Sequence, residues 1–265
     1  MEIYTTMLLD DESLLALESF NENNIDNNSN SLLKKISRQL RNFAEWLYRL
    51  IVKLINNLTS LFNRTNKSMH SLSSKVIISD PYGYVDCIEQ GTSIIALNYS
   101  HLKSIRRLDM NIVKDASLMD ALKEKMKDMT YGSKPEMTTR QYYEDIHRHF
   151  KESDDCFESM DKLLKDVNEN KTHIPIKRYQ KDGLEKKINI PLKKIIACLN
   201  ELKDDVENAK QTYEERNFLY RKFRKQDIER NNKLLNYSAK LIEQAEGLKE
   251  LYIKLISYVE EDVAN

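Results

Sequence analysis

The chain has 265 residues, a mass of 31.3 kDa and equal numbers of basic and acidic side chains, 42 of each. Five glycines and four prolines are present, whereas an average composition would give about thirty in all. So few turn-forming residues exclude the many tight corners of a β-sandwich, a β-barrel or a doubly wound α/β sheet. The balanced charge excludes a polycation that coats DNA by net charge alone.

The composition predicts a mainly α fold class, with long antiparallel helices in a coiled-coil-like bundle and one or two small β-hairpins. Charged residues make up 32% of the chain and apolar residues 40%, which suits helices with one exposed and one buried face. No apolar run approaches the ~20 residues that span a bilayer, and no secretory signal is expected. Cys87, Cys156 and Cys198 form no CxxC pair, which favours reduced thiols in a cytosolic protein.

Residues 1–30 form an acidic leader. They carry seven acidic side chains and no lysine or arginine, a net charge of −7. Apolar spacing predicts a short helix over 7–20, and the Asn/Ser-rich tract 21–31 is typical of a flexible linker. The leader is therefore a short helix with a linker rather than a domain.

Residues 31–67 form a basic amphipathic helix, which is the strongest pattern in the chain. Eight basic side chains stand against one acidic side chain, a net charge of +7. Apolar residues recur every three or four positions, and Ser31 is the predicted N-cap. The candidate membrane or partner surface of this helix consists of Phe43, Trp46, Leu47, Tyr48, Leu50, Ile51, Leu54 and Ile55.

Two interpretations of this basic helix stay open. Its apolar stripe either packs against the rest of the protein or lies on an anionic membrane or a partner assembly, as basic helices with aromatic anchors do. The leader either shields the basic helix, because opposite charges attract over about 8–10 Å at physiological salt, or is held apart from it by the linker.

Residues 68–135 are predicted to form a small mixed α/β element. Turn signals at Asp80–Gly83 and at Gln90–Gly91 separate β-prone runs. These runs are 76–78, 84–88 and 93–97. Helical spacing over 101–130 follows them.

Residues 136–265 are predicted to form a helical coiled-coil hairpin with a β-hairpin tip at 174–190. Helical spacing over 138–168 precedes the tip, and a second helical stripe follows Pro191. The dipeptide Asp182-Gly183 between two alternating runs is a strong hairpin signal. The helices before and after the tip would then pair with each other as an antiparallel coiled coil.

A basic patch lies on the second of these helices. Its members are Arg216, Arg221, Lys222, Arg224 and Lys225. Interleaved aromatic residues make it a candidate phosphate-contacting surface, which would bind nucleic acid weakly, without sequence preference and with a strong dependence on salt. The favoured alternative is a solvated coiled-coil face paired with nearby acids. The polar stretch 224–233 is where the long helix is expected to kink or break.

Motifs that carry chemistry are scarce. The chain contains no HExxH, GxxxxGK[ST], GxSxG or GxGxxG sequence, so no catalytic residue and no cofactor are predicted, and the protein is expected not to be an enzyme. The richest polar cluster consists of Glu144, Asp145, His147, His149 and Glu152. Its two histidines point to different faces of one helix, whereas a metal ion needs three or four converging ligands. A solvated surface is therefore favoured, and no metal site is predicted.

The arrangement of the first 67 residues resembles a known class of protein. A short acidic helix at Met1–Glu22 and an Asn/Ser linker precede an aromatic-rich basic helix at Asn42–Leu58. This order is similar to that of internal head and virion structural proteins of giant, phiKZ-like tailed phages. The resemblance implies packaging inside the capsid and trimming by a prohead protease, whose small-x-Glu cleavage pattern is matched by Ala16, Leu17 and Glu18.

Three functions stand as alternatives. The expected one is a non-enzymatic structural or assembly protein, located in the virion interior, or in the cytoplasm if the source is not a phage. Its expected partners are other virion or assembly proteins, a second copy of itself, and packaged DNA or an anionic membrane through the basic helix. The second is a membrane-active, pore-forming helical protein, against which the basic character of the 174–190 tip weighs. The third is a nucleic-acid-associated coiled coil.

Overall fold

A computed structural model of the chain describes residues 27–71, 77–80, 82–125, 139–169, 177–213 and 225–264. Within these ranges 93% of the residues are helical, which confirms the mainly α fold class. The elements in chain order are α1 (Asn27–Ser71), β1 (Ile77–Asp80), α2 (Tyr84–Lys125), α3 (Thr139–Asn168), β2 (Lys177–Gln180), α4 (Lys181–Thr212) and α5 (Lys225–Ala264).

A continuous hydrophobic core holds the five described helices together. Helix α1 packs chiefly against α4, and α2 packs chiefly against α3. Helix α2 also contacts α4 and α5, while α5 contacts α1, so the two pairs form one bundle. Tyr252 on α5 and Phe157 on α3 are among the largest side chains that the bundle buries completely. Burying each such side chain contributes about 1.5–3 kcal/mol to folding.

The basic amphipathic helix is present as α1, and it begins earlier than the sequence predicts. Ser31 is not its N-cap, because Asn27–Asn30 are already helical although they were predicted to belong to the linker. Asparagine and serine cost less than about 0.7 kcal/mol each in a helix. The long buried stripe of α1 offsets that cost, so local propensity does not set the first helical residue.

The prediction of strands between 84 and 97 is wrong. Only Ile77–Asp80 is a strand, and both later β-prone runs lie within α2. The buried side chains of α2 recur every three or four positions, which is the period of a helix. They are Val85, Ile88, Thr92, Ile95, Tyr99, Leu102 and Ile105. Packing of this stripe overrides the modest β preference of its valine and isoleucines.

Asp80 ends β1 and caps α2. Its carboxylate oxygens accept hydrogen bonds from the backbone N–H groups of Tyr84, at 3.0 Å, and Val85, at 2.9 Å. Gly83 has a φ of 66°, a left-handed conformation that glycine adopts without a steric penalty. The predicted turn at Asp80–Gly83 therefore joins a strand to a helix.

The two short strands pair with each other, and neither forms a local hairpin. Ile77 lies opposite Gln180 and Asp80 lies opposite Lys177 in an antiparallel register. The predicted hairpin tip at 174–190 is therefore wrong, because the residues from Lys181 onward are helical. The apolar residues after Asp182-Gly183 belong to a helix rather than to a strand. Every third or fourth residue of this helix is buried: Leu184, Ile188, Leu192 and Ile195.

The helices also pair differently from the predicted coiled-coil hairpin of 136–265. Helix α3 packs against α2 and α5, whereas α4 packs against α1 and α2. The predicted break at 224–233 is misplaced, because α5 is helical from Lys225 onward. Sequence patterns identified the amphipathic helices. They did not determine which helices pack together, because the apolar stripe of each helix could pack against several others.

Candidate functional site

The candidate membrane or partner surface of α1 faces the protein core. Phe43 is 3% exposed, and Leu47, Ile51 and Leu54 are fully buried. The other four members pack against the same core and are partly buried: Trp46, Tyr48, Leu50 and Ile55. In this structure the stripe of α1 is therefore used inside the bundle.

The opposite face of α1 is cationic and exposed. Its exposed basic side chains are Lys34, Arg38, Arg41, Arg49, Lys53, Arg64 and Lys67. At 100° per residue they lie within one half of the helix circumference, and they extend over about 50 Å at 1.5 Å per residue. We call these seven side chains the cationic face.

Some of the cations on this face are paired and others are not. Arg49 pairs with Glu45 on the same helix, and Arg64 pairs with Glu260 on α5. Of the other five, Lys34 also has an interaction within the protein, and four have no carboxylate partner among the described side chains: Arg38, Arg41, Lys53 and Lys67. A polyanion would therefore find them without first breaking an ion pair.

Two sites predicted from the sequence lie outside the described residues. The first is the candidate processing site, Ala16, Leu17 and Glu18, together with residues 1–26 of the acidic leader. The second is the phosphate-contacting patch, Arg216, Arg221, Lys222 and Arg224. Its last member, Lys225, begins α5, and its side chain is also outside the described part.

His101, His149 and Glu152 form a cluster between α2 and α3. Glu152 Oε2 lies 3.0 Å from Nδ1 of His101 and 3.0 Å from Nδ1 of His149. The two Nδ1 atoms are 3.4 Å apart. The imidazoles are mostly covered, with 16% and 19% of their side chains exposed, while Glu152 is 39% exposed. The three donor atoms thus converge at a partly buried point.

The two helices hold these side chains in place. His149 and Glu152 are three residues apart on α3, so they share one helix face. His101 comes from α2, whose neighbouring turn carries Asn98. The buried Ser153 hydroxyl donates a hydrogen bond to the Asn98 side-chain oxygen. This bond joins α3 to α2 through residues that lie next to Glu152 and one turn from His101 along the chain.

The electrostatic surroundings favour a neutral His101. Burial lowers the pKa of this imidazole below 6.5, and His149 lowers it further, while Glu152 acts in the opposite direction. A neutral imidazole carries a free electron pair on one ring nitrogen and can bind a metal ion. His101 therefore has the protonation state that ligation needs at neutral pH.

Only two members of the sequence-predicted polar cluster belong to this site. His147 and Glu144 are exposed, and Asp145 pairs with Arg148. The sequence reasoning missed His101, which is 48 positions from His149. No spacing along the chain indicates that His101 lies beside His149, because the two residues meet only when α2 packs against α3.

The three thiols are not activated nucleophiles. Cys87 and Cys156 are buried and Cys198 is partly buried, all without a disulfide. Burial raises the pKa of Cys87 to about 11 and raises the pKa values of Cys156 and Cys198 above 9. The reactive form of cysteine is the thiolate, so these side chains stay protonated near pH 7.

No protein-family model, curated protein or solved structure matches this chain. Among the described helices, none combines the length and the apolar content needed to cross a membrane. The function is therefore inferred from the cationic face of α1.

Proposed function

We propose that the protein is a non-enzymatic structural or assembly protein that contacts a polyanion through the cationic face of α1. The observation that supports this most is the division of α1 into two faces. Its apolar stripe is anchored in the core, so the opposite side is held outward on a rigid helix. Basic groups fixed along one line suit the regularly spaced phosphates of a nucleic acid.

Packaged DNA inside a phage capsid is the polyanion and the location that we propose. The support is the similarity of residues 1–67 to internal head proteins of giant tailed phages, together with the cationic face on the same segment. Other virion proteins and further copies of this chain would then be its neighbours in the assembly.

An anionic membrane is the weaker candidate for this face. Insertion of a basic amphipathic helix into a lipid surface requires exposed apolar and aromatic side chains beside the charges. In α1 the buried Phe43 and the partly buried Trp46 pack against the core, so membrane insertion would require α1 to leave the bundle.

The test of DNA binding removes the four unpaired cations together. Replacing Arg38, Arg41, Lys53 and Lys67 by glutamine should weaken binding to duplex DNA. The slope of log affinity against log salt concentration should become shallower by about 3.6, because each of the four lost phosphate contacts contributes about 0.9. Fluorescence anisotropy with the full chain, at several salt concentrations, measures both quantities.

The matched control removes the same charge elsewhere. Glutamine at Lys151, Lys162, Lys165 and Lys186, which are exposed on α3 and α4, should leave the affinity and the salt slope unchanged. Equal losses in both variants would mean that total charge matters rather than the cationic face. Flotation with phosphatidylserine vesicles tests the membrane alternative in the same two variants.

A further inference from the structure

The cluster of His101, His149 and Glu152 has a geometry that the proposed function does not use. Its three donor atoms form a triangle with edges of 3.4, 3.0 and 3.0 Å. An ion bound at about 2.0–2.1 Å from each donor needs edges from about 2.9 Å in an octahedral site to about 3.4 Å in a tetrahedral site. The observed edges match the face of such a coordination shell.

We propose that His101, His149 and Glu152 bind a divalent transition-metal ion of the Zn²⁺ type. Two imidazoles and one carboxylate suit zinc and its first-row neighbours, whereas Ca²⁺ and Mg²⁺ prefer sites made of oxygen donors alone. Three protein ligands leave at least one position for water.

The contacts within the cluster bring three possible ligand atoms to one point. Without an ion, each Nδ1–H group can donate a hydrogen bond to the same oxygen of Glu152, and the two nitrogens lie 3.4 Å apart. If each imidazole instead carries its hydrogen on Nε2, both Nδ1 electron pairs and the carboxylate oxygen bind one ion.

The ion would connect α2 to α3. His101 lies on α2, and both other ligands lie on α3, so the bound ion cross-links the two helices of one packed pair. A ligand that binds only the folded state raises its stability. The inferred role of the ion is therefore to stabilise the packing of α2 against α3. This role is independent of polyanion binding by α1.

The direct test is a Zn²⁺ titration of the full chain after treatment with a chelator. Isothermal titration calorimetry at pH 7.5 should give one site per chain with a Kd below about 10 µM. Excess Zn²⁺ should raise the Tm by about 5 °C. Co²⁺ bound in its place should give weak visible bands without the intense thiolate band that cysteine ligation would produce.

Ligand variants and a matched histidine control decide the assignment. His149→Gln and Glu152→Gln should each weaken Zn²⁺ binding by more than about 100-fold, since loss of an outer-shell partner alone costs about 10–100-fold. The chain has five histidines, and removing the three outside the cluster with H70A, H147A and H173A should leave the Kd and the Tm rise unchanged. Circular dichroism verifies that every variant is folded.

Two results would overturn the proposal. One is the absence of a Zn²⁺ site, or a Kd weaker than about 10 µM, in the unaltered chain. The other is binding that persists in His149→Gln and Glu152→Gln but is lost in the triple histidine variant, which would place the ion on other histidines. Glu152→Gln changes the side-chain shape least, so it keeps the test decisive if His149→Gln does not fold.

Discussion

Gly91 marks a point where three helices approach one another closely. A Cβ atom added at this position of α2 would lie 2.9 Å from Leu248 Cδ1 on α5 and 3.1 Å from Met160 Cε on α3. Leu248 and Met160 are fully buried, so neither can move into open space. The sequence suggested a turn at Gln90–Gly91, but this glycine serves close helix packing.

Gly91→Ala is expected to destabilise the protein. Overpacking a filled core costs about 1–3 kcal/mol, which exceeds the gain of about 0.5–1 kcal/mol from replacing a helical glycine by alanine. The matched control is Gly183→Ala in α4, where an added Cβ meets nothing within 4 Å. Urea denaturation should show a loss of stability for the first variant and a small gain for the second. A gain in both would contradict the close approach at Gly91.

The donor atoms of the histidine cluster show what the sequence could reveal of a site. His149 and Glu152 both belong to the polar cluster that the sequence shows, because the five members of that cluster lie close together along the chain. Their third partner does not, because His101 belongs to another helix and arrives through packing. The expectation of no metal site depended on His147 and His149, which point to different faces of one helix.

Ser37 links the beginning of α1 to the end of α4. Its buried hydroxyl donates a hydrogen bond of 2.6 Å to the backbone carbonyl of Tyr213, the C-terminal cap residue of α4. The last carbonyls of a helix have no partner within the helix. The hydrogen bond from Ser37 gives one of these carbonyls a partner and holds the C-terminal end of α4 against α1.

Ser37→Ala is expected to cost about 1 kcal/mol, because it removes a buried hydrogen bond that joins α1 to the end of α4. Ser159→Ala is the matched control, since this exposed hydroxyl bonds only to the carbonyl of Asp155 in its own helix. Its effect should lie within about 0.5 kcal/mol of zero. Thermal denaturation of both variants measures the difference. Equal Tm values would argue against a structural role for the link between α1 and α4.

The sequence predicts helices that carry one clear apolar stripe, but it does not predict which helices pack against each other. The expected helix at 138–168 is confirmed as α3 with nearly the same bounds, because apolar spacing gives a helix directly. The β-prone runs of α2 and the Asp182-Gly183 pair of α4 misled the prediction because local preferences are small beside packing energies. Choosing which stripes meet requires the tertiary structure.

Ion pairs between helices make the whole bundle sensitive to acid. Three of them join α1 to α4, α2 to α4 and α1 to α5. The pairs are Glu45–Lys210, Glu201–Lys103 and Glu260–Arg64. In each pair the hydrogen bond from the cation is the main cause that lowers the pKa of the carboxyl below 4.5.

Stability should therefore fall as the pH drops through about 4.5. In this range the unfolded chain binds protons that the folded chain does not, so acid favours unfolding. The urea midpoint should decrease between pH 5.5 and pH 3.5, and added salt should reduce this pH dependence because these pairs are partly exposed to solvent. A variant with glutamine at Glu45, Glu201 and Glu260 should show a smaller decrease. An identical pH profile would assign the acid sensitivity to other carboxyl groups.

Association with further copies of the chain stays a prediction. It was expected because a thin bundle would leave apolar stripes uncovered. The described helices cover most of these stripes with one another, and the most exposed large apolar side chains, Ile77, Leu97 and Ile190, lie on three different elements. An assembly would therefore depend on contacts other than one broad apolar stripe.

The pairing of β1 with β2 gives the chain the topology of nested hairpins. Asp80 and Lys177 are opposite each other, so the chain leaves the sheet, forms α2 and α3, and returns to the point it left. Joining two ends separated by residues 81–176 costs loop entropy, which grows with the length of unstructured chain between them. Once α2 and α3 have packed, less of that chain is free. The four-residue strands are therefore expected to pair late in folding. Pairing of β1 with β2 would then follow the packing of α2 against α3.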